Sequence, residues 1–240
     1  MNLSKYIDHT NLAPNASECD IRLLCAEAIE HDFAAVCVSP IWVKLSSELL
    51  RGSTVKVCTV IGFPTGAHMA DAKLAEAELA LANGAEELDT VINVAALQAN
   101  DLEVLRDDIA PLADAAHASG AILKVILETA LLSDEEIVRA SELCWDFGAD
   151  FVKTSTGMLS AGLAKDGITG ASITAVELMA SKARGASDVG DDSPIRGGVK
   201  ASGGIRDRET AIAMIEAGAT RLGTSSGVAI VRDLEGNSDY

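Results

Sequence analysis

Residues 147–153 read Phe-Gly-Ala-Asp-Phe-Val-Lys and join a helix-like segment to a strand-like one. A glycine ends a helix-like segment here, because it accepts the left-handed backbone that closes helices, and a short strand-like run follows it. The same order recurs more weakly in residues 83–89 (NGAEELD) and 217–223 (AGATRLG). Repeated helix-to-strand joints of this kind predict βαβ units and a parallel sheet.

Before and after this joint, eight short runs rich in β-branched residues alternate with Ala- and Glu-rich amphipathic segments. The predicted strands are Tyr6–Thr10, Ala34–Ser39, Lys56–Ile61, Glu87–Asn93, Leu123–Glu128, Asp150–Thr156, Gly198–Ser202 and Arg221–Thr224. The predicted helices are Glu18–His31, Met69–Asn83, Leu102–Ser119, Ser133–Phe147, Ser172–Lys182 and Arg208–Ala217. Eight such strands in 240 residues predict an α/β protein with a single (β/α)8 TIM barrel.

The pattern favours one domain over residues 1–240, with no linker. Its one break in composition is the segment 184–198, which we expect to be an exposed, mobile loop, and residues 236–240 are expected to form a short polar tail. The five cysteines form no CxxC pair or metal-ligand cluster, which is typical of a reduced cytoplasmic protein. We expect no metal and no cofactor.

The net charge of −17 argues against nucleic acid as a partner, since a phosphate backbone is bound by Lys and Arg. No apolar run is long enough to cross a membrane, and the N-terminus lacks the form of a secretory signal. We therefore expect a cytoplasmic protein with small-molecule substrates. The candidate assembly is a homodimer.

Five charged residues lie on predicted strands that should be buried on both faces: Asp8, Asp89, Lys124, Lys153 and Lys200. Side chains alternate along a strand, so apolar Leu88, Val152 and Val199 would face the helices while the charges face the barrel axis. An unpaired buried charge costs several kcal/mol, so these groups must serve one another or a reaction. One explanation is a salt-bridge cluster that only closes the barrel; the other is a catalytic site.

The catalytic explanation centres on the two neighbouring lysines, Lys153 and Lys200. A lysine amine attacks a carbonyl only when it is neutral, and a second cation or desolvation favours that state. Phosphate could be bound by the Gly-rich turns after the last three strands, because such turns aim N–H groups at anions. The candidate phosphate ligands are Gly157, Gly203, Gly204, Ser225 and Ser226.

These motifs also carry a family resemblance. The stretches IDHTNL (7–12), VIGFPTG (60–66), EELDTVINV (86–94), LKVILET (123–129), DFVKTSTG (150–157) and GVKASGGIR (198–206) together resemble the deoxyribose-phosphate aldolases, from Tyr6 to about Val231. The resemblance implies that Lys153 forms a Schiff base, that Lys200 tunes it and that Asp89 relays a proton. It also implies supporting roles for Lys124, Asp8 and Thr10, and phosphate contacts for Gly203, Gly204, Ser225 and Ser226.

The implied reaction is the reversible cleavage of 2-deoxy-D-ribose 5-phosphate to D-glyceraldehyde 3-phosphate and acetaldehyde. The alternatives are another class I aldolase acting on a different phosphorylated sugar, and an inactive barrel with a binding role. Some family members end in a tyrosine that assists proton transfer, which makes Tyr240 a candidate beside the simpler interpretation of a frayed tail. Family members often carry a basic residue after KTSTG, where this chain has Met158.

Two further residues have simpler interpretations. His9 follows Asp8 and should therefore face the helices, as a structural histidine. Cys37 is expected to face the lumen, either as a thiol reactive toward aldehydes or as plain core.

Overall fold

A computed structural model describes residues 1–165, 167–183 and 197–234. Its eight parallel strands form a closed barrel in chain order, each paired with its sequence neighbours and β1 with β8. The strands are β1 Ile7–Asn11, β2 Ala35–Val38, β3 Lys56–Ile61, β4 Glu87–Val91, β5 Ile122–Ile126, β6 Phe151–Lys153, β7 Gly198–Ser202 and β8 Arg221–Thr224. The predicted (β/α)8 barrel is confirmed.

Nine α-helices are found in the described part of the chain. They are α1 Glu18–Glu30, α2 Val43–Leu49, α3 Ala70–Ala82, α4 Val94–Gln98, α5 Leu102–Ala118, α6 Asp134–Asp146, α7 Ile173–Ala183, α8 Arg208–Glu216 and α9 Gly227–Arg232. The six predicted helices occur with ends shifted by one residue at most. The sequence analysis missed α2, α4 and α9, because segments of five to seven residues are too short to show a helical period.

Strands β4, β5 and β6 end earlier than predicted. Their motifs continue as irregular backbone at the carboxyl end of the barrel, where Glu128 adopts a left-handed conformation (φ 54°). Strand β6 is the shortest, and it ends at Lys153, so that Thr154–Gly157 form the turn above it. The charged residues of these motifs therefore lie on the strands, and the later residues of each motif lie on the turns above the sheet.

Local signals fix the helix ends. Ser133 accepts from the Glu136 N–H at 3.2 Å while the Glu136 carboxylate accepts from the Ser133 N–H at 2.7 Å, which is a capping box at the start of α6. The left-handed glycine Gly148 (φ 99°) follows α6 and turns the chain into β6.

The apolar core lies between the strands and the helices. Leu88, Val152 and Val199 are buried in it, so the inward positions beside them carry the charges, as the strand alternation predicts. His9 also faces this layer, where its Nε2 lies 2.8 Å from Glu27 Oε2 on α1. Among the described residues, every helix is too short or too polar to span a bilayer.

The predicted loop at 184–198 falls almost wholly outside the described residues, since only Gly197 and Gly198 are described. The predicted tail 236–240 lies outside them as well.

Candidate active site

The five predicted strand charges converge inside the barrel. Asp8, Asp89, Lys124, Lys153 and Lys200 come from five different strands, and each is at most 3% exposed. Lys153 and Lys200 are in-register partners of β6 and β7. The parallel pairing of neighbouring strands therefore brings residues far apart in sequence into one cluster.

Two residues that the sequence analysis missed complete this cluster, Glu87 on β4 and Arg221 on β8. With them the charges form a closed ring of alternating sign, which we call the lumen ring: Asp8, Arg221, Glu87, Lys124, Asp89, Lys200 and back to Asp8. The nitrogen–oxygen distances are Arg221–Asp8 2.6 Å, Arg221–Glu87 3.3 Å, Lys124–Glu87 2.6 Å, Lys124–Asp89 2.9 Å and Lys200–Asp89 2.7 Å, and Lys200 also pairs with Asp8.

The ring holds Asp8, Asp89 and Lys200 in the charged state. Burial works to raise the pKa of Asp8, but the cations of Lys200 and Arg221 outweigh it and hold that pKa at about 2. Burial is likewise outweighed at Asp89, whose pKa lies well below its usual range because Lys124, Lys153 and Lys200 surround it. Asp8 and Asp89 raise the pKa of Lys200 well above normal despite its burial, so Lys200 is a fixed cation.

Lys153 is attached to the ring without belonging to it. Its Nζ donates to Asp89 Oδ2 at 2.8 Å, the same oxygen that Lys200 contacts. The ring alone contains three carboxylates and three cations, so Lys153 is the additional positive charge. If Lys153 gives up its proton, the charges that remain are balanced.

Thr10 and Tyr240 are the other predicted catalytic residues. Thr10 is buried on β1, and its hydroxyl donates to the backbone oxygen of Asp8 at 2.8 Å, so its described contact with the ring runs through the backbone. Tyr240 lies outside the described residues.

A cavity of about 370 Å³ opens at the carboxyl end of the barrel, between the turns after β6, β7 and β8. Four of the predicted phosphate ligands line it: Gly157, Gly203, Gly204 and Ser225. The fifth, Ser226, is buried at the start of α9, and its N–H donates to Thr224 Oγ1 at 2.9 Å. Gly203 (φ 88°) must be glycine, because a Cβ there would lie 2.9 Å from Gly170 Cα.

The cavity reaches the lumen ring through Gly223. This residue lines the cavity, and a Cβ on it would lie 3.0 Å from Lys200 Cε. Met158 and Arg206 also line the cavity. Lys165 is the first basic residue after the KTSTG motif, but its amine lies 3.6 Å from Glu136 Oε2 on α6. A cationic residue therefore lies at the cavity although none follows KTSTG directly.

Glu128 is a further buried acid that the sequence analysis did not single out. Its carboxylate accepts from the Thr156 backbone N–H (3.3 Å) and hydroxyl, which ties the end of β5 to the turn above Lys153. Burial raises the pKa of Glu128 by more than these hydrogen bonds lower it. Its place in LKVILET, four residues after Lys124, was a strand position in the prediction, so its left-handed turn gave no sequence signal.

The closed barrel, the buried lysines and the adjoining anion-sized cavity define a lysine-dependent aldolase of the barrel class. The sequence profile of the DeoC/LacD family aldolases matches residues 3–234, and the chain belongs to that family.

Individual relatives agree with this assignment. The chain is 54% identical to the deoxyribose-phosphate aldolase of Brevibacillus brevis, with 96% of each chain covered. It is 49% identical to that of Streptococcus sanguinis over the full length of both. Among solved structures, the deoxyribose phosphate aldolase of Aeropyrum pernix, described as a unique tetramer, superposes with a TM-score of 0.83 at 35% identity, over 96% of this chain and 89% of that one.

Proposed function

We propose that this chain reversibly cleaves 2-deoxy-D-ribose 5-phosphate to D-glyceraldehyde 3-phosphate and acetaldehyde through a Schiff base on Lys153. The observation that carries the assignment is the charge count around Asp89. Lys153 is the one contacting lysine that the ring does not need for balance, so it can become neutral without leaving a buried carboxylate unpaired.

The neutral amine of Lys153 attacks the sugar carbonyl, and loss of water gives the iminium. The iminium draws the electrons of the bond between the second and third carbons of the sugar. That bond breaks as the hydroxyl on the third carbon loses its proton to a water molecule, which releases glyceraldehyde 3-phosphate and leaves an enamine. Protonation of the enamine and hydrolysis then release acetaldehyde and restore the amine. In the free enzyme the Lys153 amine has Asp89 as its partner at 2.8 Å.

Asp89 orients a water molecule and relays protons. Because its pKa is held well below the usual range, it is a weak base and does not store a proton. We assign the transfer at the enamine carbon to a water that Asp89 orients, with Lys200 and Lys124 fixing the carboxylate. Asp8 holds Lys200, and Thr10 supports the Asp8 backbone. We also propose that Tyr240 aids proton transfer at this carbon, a role that deletion of the residue would test through proton exchange on acetaldehyde.

The substrate phosphate would lie in the cavity at the carboxyl end. Gly157, Gly203, Gly204 and Ser225 line it, and backbone N–H groups of glycine turns bind phosphate well. We retain Ser226 as a ligand through its position at the start of α9. Arg206 supplies the positive charge at this cavity.

We further propose that the enzyme works in the cytoplasm as an assembly of its own copies, with a dimer as the smallest unit. All five cysteines are free thiols, and four of them are buried, which suits a reducing compartment. The tetramer of the similar Aeropyrum pernix protein supports self-association. The net charge of −17 makes nucleic acid an unsuitable partner. Sedimentation analysis of the purified chain tests the assembly.

The assignment is tested by trapping. Incubation with acetaldehyde and borohydride should leave an ethyl group on Lys153, with the buried Lys73 of α3 unmodified as the internal control. In parallel, cleavage of 2-deoxyribose 5-phosphate is compared with cleavage of ribose 5-phosphate. A trapped lysine other than Lys153 contradicts the nucleophile, and faster cleavage of ribose 5-phosphate indicates a different aldolase.

A further inference from the structure

Two cysteines lie side by side in the lumen, Cys37 on β2 and Cys58 on β3. They are in-register partners of neighbouring parallel strands and both are fully buried. Their sulfur atoms and a carboxylate oxygen of Asp89 all lie within 4.8 Å of one another. The Cys58 thiol donates to Asp89 Oδ1 at 3.2 Å, so the pair touches the lumen ring directly.

This placement suits a disulfide. Neighbouring strands lie about 4.8 Å apart, which falls within the Cα spacing of about 4.4–6.8 Å found across disulfides. Both side chains point to the same face of the sheet, so a bond between them requires no strand to leave the barrel. The other two buried cysteines, Cys25 and Cys144, belong to the separate core outside the barrel.

Small reagents that reach Lys153 also reach this pair. Lys153 is only 3% exposed, yet its proposed chemistry requires a carbonyl to approach its amine. Asp89 contacts both Lys153 Nζ, at 2.8 Å, and Cys58 Sγ. Hydrogen peroxide is smaller than acetaldehyde, so the opening that admits the substrate admits the oxidant.

The two thiols are also unequal. The pKa of Cys37 is lowered, first by its hydrogen bond with Cys58 and further by the nearby charge of Lys200, although burial opposes both effects. Burial raises the pKa of Cys58 well above normal. Cys37 is therefore the thiol that ionises more readily and attacks an oxidant, and Cys58 is the thiol that remains to resolve the product.

We propose that Cys37 and Cys58 form an oxidative modification site, at which a hydroperoxide converts the two thiols into a disulfide and reversibly stops the aldolase. The Cys37 thiolate attacks one peroxide oxygen, the O–O bond breaks, and the leaving hydroxide takes up a proton as water. The Cys58 sulfur then attacks the Cys37 sulfenic acid, the S–O bond breaks, and a second water leaves with the Cys58 proton. Two thiols are oxidised and one peroxide is reduced.

The bond would act on the ring through Asp89. A disulfide removes the thiol donor from Asp89 Oδ1 and pulls the two side chains together beside the carboxylate that partners Lys153. Loss of activity as a readout rests on the proposed function, so the experiment detects the bond separately.

The parent for the test is Cys19→Ser, which removes the exposed thiol. It is treated with stoichiometric hydrogen peroxide, digested without reduction and analysed by mass spectrometry, and activity is measured before treatment, after it and after dithiothreitol. We expect a peptide linking Cys37 to Cys58, at least a tenfold loss of activity, and recovery with the reductant.

Two variants in this parent complete the design. Cys37→Ser removes the attacking thiol and leaves the Cys58 donor to Asp89 in place, so relative to its own untreated activity it should show no loss that dithiothreitol reverses. Cys144→Ala, a buried thiol outside the lumen, should behave as the parent does. The absence of the linked peptide, or reversible inactivation that persists in Cys37→Ser, overturns the inference. An untreated enzyme without aldolase activity instead counts against the proposed function, whether or not the bond forms.

Discussion

The lumen ring and the pair formed by Lys73 on α3 and Asp108 on α5 are both buried, but they differ in how many charges face one another. Lys73 Nζ lies 2.7 Å from Asp108 Oδ1, with side-chain exposures of 0% and 4%, and it also donates to the Val91 backbone oxygen at 2.7 Å. In the ring, by contrast, Asp89 faces three lysines and Asp8 faces two cations.

The pKa directions follow this difference. Burial lowers the pKa of Lys73 and raises that of Asp108, and in each case the single partner does not fully offset it. In the ring the partners outweigh burial at Asp8, Asp89 and Lys200. A buried carboxylate thus stays firmly charged when several cations share it, whereas a one-to-one pair only reduces the cost of burial.

The strongest contrast should appear between the removal of Lys153, which contacts the lumen ring, and the removal of Lys73 from its pair with Asp108. Lys153→Leu removes the proposed nucleophile while Asp89 keeps Lys124 and Lys200, so the barrel should stay folded. We expect cleavage to fall by about 10⁴-fold or more and no borohydride-trapped adduct. Steady-state kinetics and urea unfolding of the same sample provide the two readouts. Turnover within tenfold of the parent would rule out Lys153 as the nucleophile.

Lys73→Met should show the opposite pattern. It leaves Asp108 buried without its cation, which costs about 3–5 kcal/mol of unfolding free energy, while the proposed nucleophile remains and the Schiff base still forms. The double variant Lys73→Met/Asp108→Leu should recover most of that stability, because both charges are removed together. Urea denaturation at neutral pH measures all three proteins. Equal losses in the single and the double variant would show that the hydrogen bond to Val91 matters more than the charge pair.

The two clusters also show how much of the structure could be predicted from the sequence. A charge on a strand that is buried on both faces is unusual, so Asp8, Asp89 and the three lysines could be located from the sequence alone. Glu87 could have been added, since it lies two residues before Asp89 and so shares its face. Arg221 begins its strand, where a charge is normally exposed, and only the closure of β8 against β1 shows that it enters the ring.

Other parts gave no usable signal. Lys73 and Asp108 lie on helices, where charged residues normally face water, so their burial depends on how α3 packs against α5. The phosphate cavity was predicted as a set of glycine turns. Met158 and Arg206 line the same cavity because of the paths that two loops take. Local sequence propensity does not determine these paths.

A smaller effect should separate the clusters by pH. Asp8 has a pKa of about 2 in the folded chain against an ordinary 3.8, so its ionised form contributes about 2 kcal/mol above pH 4, and this is lost as pH falls through 2. Asp8→Asn should therefore be less stable than the parent at pH 7 by about that amount, with the difference shrinking between pH 4 and pH 2.

Asp71→Asn, at an exposed acid of α3, is the matched control and should show no such pH-dependent difference. The midpoints of urea unfolding of the parent and both variants, measured at intervals from pH 7 to pH 2, test this prediction. A difference between Asp8→Asn and the parent that stays constant over this range would mean that Asp8 is not held ionised by Lys200 and Arg221.

The smallest expected effect lies at the cavity, where Arg206 is the cationic residue among the described residues of the lining. Met158 lines the cavity and is partly buried against the lumen residues Leu12, Ala35, Cys37, Cys58 and Val60. Met158→Lys should lower the KM for 2-deoxyribose 5-phosphate about three- to tenfold, because charge-assisted hydrogen bonds are roughly twice as strong as neutral ones. The KM for plain deoxyribose should hardly change, and added salt should weaken the gain.

Ile168→Lys, on the same loop but outside the cavity lining, is the control and should leave both constants as they are. If Met158→Lys also leaves both constants unchanged, Arg206 already meets the charge of the dianion, and the cavity, like the ring, has its counter-charge in place.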